Sequence, residues 1–324
     1  MSERSLEQGE YAFFDYKPDM GDRAREVLDG LAGNPKQVSP KYFYDERGSA
    51  LFEQITQLDE YYLTRTEMSL FDAHLPAIAE QLGDGLALIE YGSGSSAKIR
   101  KVLTSVTPTA YVPVDISQVH LQANARALHA DFPQLHVYPI CADITQPFAL
   151  PDAIDGLTRV GFFPGSSIGN FDPAQARAFL RNVRETVGEG GALLIGVDRK
   201  KSISALEAAY NDPGGVTAAF NLNLLHHINA TLDGNFDVSA FEHDARYNEA
   251  LGCIQMFLRA TRAQTVSVAG TTVAFAAGET LHTENSYKYH PDEFLALAEG
   301  AGFRDQAYWS DAQSRFALFL LRGA

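Results

Sequence analysis

The chain of 324 residues is long enough for one large domain or two of ordinary size, and its hydrophobic fraction of 45% supplies a packed core. The formal net charge of −15 repels phosphate backbones, which argues against a nucleic-acid partner and favours a small-molecule substrate. No apolar run reaches transmembrane length, residues 1–7 lack the order of a signal peptide, and cysteines are few, so we expect a cytoplasmic protein with no membrane partner.

The part of the chain before residue 86 is predicted to be mostly helical. Apolar residues recur at helical spacing over residues 24–31, 49–58 and 66–82. Gly48 followed by Ser49 is typical of a turn and the N-cap of a helix. We therefore expect three helices ahead of the first buried strand.

A buried strand, a glycine loop and the start of a helix are predicted over residues 87–98. The apolar run ends at Glu90, after which Gly92 and Gly94 allow a tight turn and the close approach of a ligand. The spacing also fits the dinucleotide fingerprint G-x-G-x-x-A, with Ala97 in third place, so the loop alone predicts a nucleotide-like cofactor. An acid at the position of Glu90 resembles methyltransferases that use S-adenosylmethionine, and this favours that cofactor.

Strands and helices alternate after this loop, as they do in a doubly wound parallel sheet. Helices are predicted at residues 97–104, 117–130 and 173–187, and strands at 110–114, 135–140, 159–163 and 192–197. The pattern then changes: a helix is predicted at 216–228, and β-rich segments at 236–261 and 265–281 joined by a turn at Ala269-Gly270. A helix at 291–299 and strands at 303–309 and 314–321 end the chain.

The terminal elements are predicted to close the sheet as an antiparallel strand pair, as in methyltransferases. We therefore expect an α/β fold with a Rossmann-like class I methyltransferase sheet. Residues 66–201 and 287–324 would form the S-adenosylmethionine-dependent methyltransferase domain. Residues 1–65 and 202–286 would form an α+β substrate-binding domain over the carboxyl ends of the strands, where ligands bind in open α/β sheets.

Three charged residues are candidates for the cofactor site. Asp115 follows the second strand about twenty residues after the glycines, where an acid can accept both ribose hydroxyls, although it can also cap the helix that starts near Ser117. Asp143 follows the third strand and either meets an adenine amino group or forms a turn. Lys98 offers a cation to the cofactor carboxylate, or is an exposed lysine in a first helical turn.

Two stretches are candidates for the acceptor site. Residues 162–171 follow the fourth strand, where Gly165 allows close backbone approach and the Asn170 amide can donate and accept; the alternative is an ordinary turn with Asn170 at a helix N-terminus. In an extended segment, Glu284 and Ser286 would share one face, either as recognition groups for a donor-rich side chain or on a solvated edge.

We expect no metal site, a small-molecule partner, no nucleic acid and a monomer. The doublet His226-His227 lacks the i, i+4 spacing of helical zinc ligands, so these histidines are interpreted as surface or interface residues.

Five blocks of sequence resemble the histidine-specific, S-adenosylmethionine-dependent methyltransferase family of ergothioneine biosynthesis, over nearly the whole chain. They are Tyr44-Asp45-Glu46-Arg47-Gly48-Ser49, Glu60-Tyr61-Tyr62-Leu63-Thr64-Arg65-Thr66-Glu67, Gly165-Ser166-Ser167-Ile168-Gly169-Asn170, Gly214-Gly215-Val216-Thr217-Ala218-Ala219-Phe220-Asn221 and Thr283-Glu284-Asn285-Ser286. The resemblance implies transfer of three methyl groups from S-adenosylmethionine to the α-amine of L-histidine, giving hercynine (Nα,Nα,Nα-trimethyl-L-histidine).

The resemblance also implies roles for individual residues. Asn170 and Tyr210 match groups that hold the carboxylate and amine of the amino acid, and together with Tyr61 they are the predicted catalytic set. Glu284 and Ser286 match the pair that faces the imidazole. The whole predicted substrate site is Tyr61, Gly165, Asn170, Tyr210, Met256, Glu284 and Ser286, with Met256 beneath the ring. The predicted cofactor site is Glu90, Gly92, Gly94, Lys98, Asp115 and Asp143.

Leu63, Asn285 and the pair Phe163-Pro164 depart from the family pattern without removing a predicted ligand. One alternative is a methyltransferase of the same family that acts on another amino acid, such as tryptophan or a derivative; Glu284 and Met256 argue against it. A nicotinamide-dependent oxidoreductase is disfavoured by the closing strands and Glu90, and a binding protein without activity has no positive support.

Overall fold

The computed structural model describes residues 9–16, 21–94 and 96–324. Residues 1–7, whose order argued against a signal peptide, lie outside the described residues, as does Ser95 of the glycine loop. Among the helices of the described ranges, none has both the length and the apolar character needed to cross a bilayer.

The predicted helices and strands occur in the predicted order, and the structure adds β1, β2 and α7, which were not predicted. The predicted turn and N-cap at Gly48-Ser49 are wrong, because Asp45 caps α2 and both residues lie inside that helix. The helices are α1 (Gly21–Ala32), α2 (Glu46–Ile55), α3 (Tyr62–Leu82), α4 (Ser96–Val106), α5 (Gln118–Asp131), α6 (Pro173–Val187), α7 (Ile203–Ala208), α8 (Val216–Thr231) and α9 (Pro291–Glu299). The strands are β1 (Phe14–Asp15), β2 (Lys36–Gln37), β3 (Leu86–Tyr91), β4 (Ala110–Asp115), β5 (His136–Val137), β6 (Ile140–Cys141), β7 (Thr158–Phe163), β8 (Ala192–Asp198), β9 (Phe241–Asn248), β10 (Cys253–Ala260), β11 (Gln264–Val268), β12 (Thr271–Phe275), β13 (Thr280–Tyr287), β14 (Phe303–Ser310) and β15 (Phe316–Gly323).

The large sheet has the order β1-β6-β4-β3-β7-β8-β15-β14, with β5 paired to β4. Strands β3, β4, β7 and β8 run parallel, and β15 runs antiparallel to both β8 and β14. Every residue of β3 and of β8 is buried, as expected for strands with helices on both faces. The predicted fold class, including the antiparallel pair that closes the sheet, is confirmed.

The third strand differs from its prediction. A continuous strand over residues 135–140 is wrong, because β5 ends at Val137 and β6 begins at Ile140. Pro139 lies in the gap and has no N–H to donate to a strand ladder. The two short strands nevertheless both pair with β4, so the sheet order is unchanged.

A smaller sheet has the order β2-β13-β10-β9, and β11 and β12 form a separate hairpin. The turn predicted at Ala269-Gly270 is present and connects β11 to β12, and the two residues have positive φ angles of 46° and 77°. The prediction that it joins the segments 236–261 and 265–281 is wrong, because it lies inside the second of them. Two successive positive φ angles are typical of the tight turns that match the twist of a hairpin.

The N-terminal residues contribute to both sheets. Phe14 of β1 pairs with Ile140 at the edge of the large sheet, whereas Lys36 of β2 pairs with Leu281 in the small sheet. The division of the chain into a methyltransferase domain and a substrate-binding domain stays a prediction.

Candidate active site

One cavity between the two sheets contains every residue of the predicted substrate site. Tyr61, Gly165, Asn170, Tyr210, Met256, Glu284 and Ser286 all line it. They come from distant parts of the chain: the start of α3, the loop after β7, the segment after α7, and strands β10 and β13. The cavity is also lined by side chains to which the sequence analysis gave no role, namely Tyr44, Phe52, Ile55, Leu63, Ser166, Ser167, Ala209, Thr217 and Phe220.

A β-bulge in β13 positions the acidic end of this cavity. Met256 of β10 pairs with Glu284, and the next residue of β10 pairs with His282, so Thr283 is the extra residue. The Thr283 hydroxyl donates to Asn221 Oδ1 of α8 at 2.8 Å, which anchors the bulge. Glu284 and Ser286 are 7% and 4% exposed, which excludes the alternative of a solvated edge.

The Glu284 carboxylate is buried and makes no side-chain hydrogen bond within the described part of the chain. Burial raises the pKa of Glu284 from 4.5 to about 7, and the nearby Lys288 ammonium only partly offsets this increase. The carboxylate oxygens are not among the fully buried unpaired atoms of the described residues, so they keep some exposure to the cavity, where a ligand N–H can supply the missing donor.

This pKa shift predicts a pH-dependent effect of Glu284→Gln on stability. An acid whose pKa is raised on folding holds its proton more tightly in the folded chain, so unfolding free energy is lost as the pH rises from 4.5 towards 7. Glutamine does not titrate. Between pH 5 and pH 8 we therefore expect the free energy of unfolding of the variant to rise by about 2 kcal/mol relative to that of the parent. Urea denaturation at both pH values measures this gain.

The matched control is Glu242→Gln, which removes an exposed carboxylate paired with Arg259 on the neighbouring strands. We expect no comparable gain there. An equal gain in both variants would contradict burial as the cause.

Aromatic rings form one wall of the cavity. The Tyr61 ring lies edge-on to the rings of Tyr210 and Phe52, with a distance of 6.3 Å between ring centroids in each pair. Burial raises the pKa of Tyr61 and of Tyr210 above the ordinary value, an effect that Lys288 only partly offsets at Tyr210. Both hydroxyls therefore keep their protons at neutral pH and serve as hydrogen-bonding groups.

The loop after β7 has an unusual backbone. Gly165 and Ser166 have φ angles of 78° and 59°, in the left-handed region that non-glycine residues seldom adopt. The Ser166 hydroxyl accepts a hydrogen bond from the Asp198 N–H at 2.8 Å, which secures the turn. Asn170 does not cap the next helix, because Asp172 is the N-cap of α6. The alternative placement of Asn170 at a helix N-terminus is therefore wrong.

A buried charge cluster that the sequence analysis missed lies behind the cavity. Asp198 lies at the end of β8. Its carboxylate forms an ion pair with Lys288 Nζ at 2.8 Å and accepts hydrogen bonds from the Tyr62 hydroxyl at 2.9 Å and from Lys201 Nζ. Burial raises the pKa of Asp198, but the two ammonium groups outweigh it and hold that pKa below its ordinary value. A signal was present, because Asp198 ends an apolar strand at the carboxyl edge, as Glu90 does.

The glycine loop borders open space at the carboxyl end of β3. Gly92 has a φ angle of 75°, and a Cβ added at Gly92 or Gly94 would meet no atom of the described residues within 4 Å, apart from the chain neighbours. Lys98 follows in α4, and its Nζ lies 2.6 Å from Oε2 of Glu67. The N–H of Gly165 donates to Glu67 Oε1 at 2.8 Å, so this buried carboxylate joins the two predicted sites. Sequence reasoning missed Glu67.

The other predicted cofactor residues make local contacts. Asp115 Oδ1 accepts from the Ser117 N–H at 2.7 Å, Ser117 itself is at the N-cap position of α5, and burial raises the pKa of Asp115. Asp143 Oδ1 accepts from the Thr145 N–H at 2.9 Å, as a turn-forming aspartate does. Glu90 is buried under the loop and accepts from the Tyr111 hydroxyl; burial raises its pKa to about 7.

No group of three or more histidine, cysteine or acidic side chains in the described ranges is arranged to hold a metal ion. His226 is exposed on α8, and Nδ1 of His227 lies 2.7 Å from the carbonyl oxygen of Tyr42.

The chain is similar in sequence to several known proteins. The sequence profile of the family described as "Histidine-specific methyltransferase, SAM-dependent" matches residues 23–323. Two curated proteins named histidine N-alpha-methyltransferase, from Mycolicibacterium smegmatis and Mycobacterium tuberculosis, are 38% and 39% identical over 302 residues, which cover 91% of this chain and 93% of each of them. Ergothioneine biosynthesis protein 1 of Schizosaccharomyces pombe is 28% identical over 298 residues, covering 88% of this chain and 39% of that protein.

Proposed function

The chain belongs to the histidine-specific, S-adenosylmethionine-dependent methyltransferase family, and we propose that it transfers three methyl groups to the α-amine of L-histidine, giving hercynine for ergothioneine biosynthesis. One observation carries the choice of histidine. The buried Glu284 carboxylate is without a donor among the described residues and lines the same cavity as the Ser286 hydroxyl and the Asn170 amide. An imidazole N–H at one end of a substrate and an amino acid head group at the other complement this arrangement.

The residues at the glycine loop fit S-adenosylmethionine, which supplies the methyl group from its sulfonium. Open space over Gly92 and Gly94 leaves room for a ligand at the carboxyl edge of β3. We propose that Lys98 meets the carboxylate of this cosubstrate, Asp115 its ribose hydroxyls and Asp143 its adenine amino group. Glu90, buried below the loop, would support the loop through the Tyr111 hydroxyl.

The protein's part in methyl transfer is to bind, orient and exclude water. In-line displacement needs the amine lone pair aligned with the methyl carbon, and the Asn170 amide and the hydroxyls of Tyr61 and Tyr210 would hold the head group for this purpose. Because both tyrosines keep their protons, neither is a phenolate base. As methyl groups accumulate, the ring face of Tyr61 would stabilise the cationic amine by about 0.5–2 kcal/mol.

A single assay tests the function. The protein is incubated with S-adenosylmethionine and each amino acid in turn, and products are analysed by mass spectrometry for gains in steps of one methyl group. We expect histidine to gain up to three methyl groups. A product from tryptophan or another amino acid, with none from histidine, would select the alternative within the family.

Asn170→Ala is expected to lower kcat/KM about tenfold or more for every amino acid that the protein accepts, because the amide would contact the head group that all of them share. Steady-state kinetics with histidine and one weaker substrate measures this. The control is Asn248→Ala, whose amide donates to Gln255 Oε1 outside the cavity. A loss confined to histidine would contradict a head-group role.

Lys98→Met is expected to weaken S-adenosylmethionine binding about tenfold, because it removes the proposed partner of the cosubstrate carboxylate. Titration calorimetry measures the affinity. Lys101→Met, on the same helix, is the matched control, since Lys101 pairs with the exposed Asp72. Equal affinities for the two variants would remove Lys98 from the cofactor site.

The cytoplasmic location, the monomeric state and the independence from metal remain proposals. Gel filtration tests the monomeric state, and an activity assay in the presence of EDTA tests whether methyl transfer is independent of metal.

A further inference from the structure

Lys288 is a fully buried lysine immediately behind the cavity. Its Nζ lies 2.8 Å from Asp198 Oδ2, 2.9 Å from Ser286 Oγ and 3.0 Å from the Tyr210 hydroxyl oxygen. An ammonium group has three N–H donors and no acceptor. Each donor of Lys288 therefore has one partner, and two of these partners are hydroxyls that line the cavity.

Lys288, Tyr210 and Ser286 form a closed triangle of hydrogen bonds. Besides accepting from Lys288, the Tyr210 hydroxyl donates to Ser286 Oγ at 2.8 Å. Ser286 Oγ thus accepts two hydrogen bonds, which occupy both of its lone pairs. Its own hydrogen has no acceptor among the described residues and is left for a ligand in the cavity.

We propose that Lys288 is a positioning residue that makes Ser286 an obligatory hydrogen-bond donor, so that the site binds the substrate's imidazole only in its neutral form. The ring would present its N–H to Glu284 and its bare nitrogen to Ser286. This inference rests on the proposed function, because it specifies how the proposed histidine site recognises the imidazole ring.

The surrounding charges make this role of Lys288 necessary. The titratable groups around the triangle are Asp198, Lys201, Tyr62 and Cys253 on the buried side and Glu284, Tyr44 and Tyr61 on the cavity side. A lone carboxylate such as Glu284 would favour the doubly protonated imidazolium. Ser286 has no lone pair left for a second ring N–H, so the imidazolium would bury an unpaired donor.

The test compares Lys288→Met with Lys201→Met. Both substitutions remove one cation from Asp198 and leave it the other, but only Lys288 contacts Ser286 and Tyr210. The substrates are histidine and the two pyrrolylalanine isomers, whose rings have an N–H and no bare nitrogen. The readout is the ratio of kcat/KM for histidine to that for the better pyrrolylalanine.

We expect the parent and Lys201→Met to prefer histidine about a hundredfold. In Lys288→Met the Ser286 hydroxyl is free to rotate towards Tyr210, so the preference should fall about tenfold. An unchanged preference in Lys288→Met, or an equal fall in both variants, would overturn the inference while histidine methylation by the parent still stands. Absence of methylated histidine from the parent would instead overturn the proposed function and, with it, this inference.

A measurement on the unmodified protein decides the matter if Lys288→Met does not fold. Histidine labelled with ¹⁵N in the ring is bound to the parent at pH 6, and its nitrogen chemical shifts are recorded. One protonated and one bare nitrogen are expected. Two protonated nitrogens would overturn the inference.

Discussion

Glu284→Ala is expected to lower kcat/KM for histidine about a hundredfold, mainly through KM, and to leave the affinity for S-adenosylmethionine within about twofold of the parent value. The carboxylate lies in the cavity between the sheets, on β13, whereas the glycine loop lies at the end of β3. Without it, the imidazole N–H would be buried with no acceptor, which costs about 1–3 kcal/mol or more. Steady-state kinetics and titration calorimetry measure the two quantities separately.

The control for this variant is Glu242→Ala, which removes an exposed carboxylate from β9. It should retain the histidine kinetics of the parent. Unchanged histidine kinetics in Glu284→Ala would refute the assignment of Glu284 to the imidazole. A fall in cosubstrate affinity as large as the fall in kcat/KM would indicate a general disturbance of the fold instead.

Asp198→Ala is expected to lower the free energy of unfolding by about 3–5 kcal/mol, because it leaves the buried Lys288 ammonium without its carboxylate. Lys288 and Asp198 side chains are both 0% exposed, so water cannot replace the missing partner without a rearrangement. The Tyr62 hydroxyl and Lys201 lose the same acceptor. Urea denaturation at neutral pH measures the loss.

Asp155→Ala provides the comparison, since Asp155 is 69% exposed and pairs with Arg159 at 3.0 Å. An exposed ion pair of this kind contributes about 0–1 kcal/mol to the free energy of unfolding. Similar losses in the two variants would show that burial does not govern the contribution of the Asp198 cluster.

Local sequence patterns predicted most of the fold. The boundaries of α6 and α9 agree with the predicted helices, because Pro at the first position and a glycine after the last turn mark both. The apolar run over residues 135–140 predicts one strand, whereas Pro139 lies in the gap between β5 and β6. The bulge at Thr283 had no local signal, since it depends on Asn221 from a distant helix.

The candidate site was also predicted only in part, because some of its contacts join segments that are distant in sequence. The resemblance to a family named seven of the residues that line the cavity, but Glu67 and Lys288 were not assigned, since each also acts through partners distant in sequence. Glu67 contacts Lys98 and Gly165, and nothing in its own helical neighbourhood indicates that. Hydrogen bonds between distant segments become visible only once the chain is folded.

Helix α3 supplies residues to both predicted sites, so its length sets the distance and the rotation between those residues. Tyr61 and Tyr62 at its start reach the cavity and the charge cluster, and Glu67 in its second turn reaches Lys98 and the Gly165 loop. Inserting one residue between Tyr62 and Glu67 would rotate one end against the other by about 100° and lengthen the helix by about 1.5 Å. A change of length between Tyr62 and Glu67 would therefore displace residues of both sites at once.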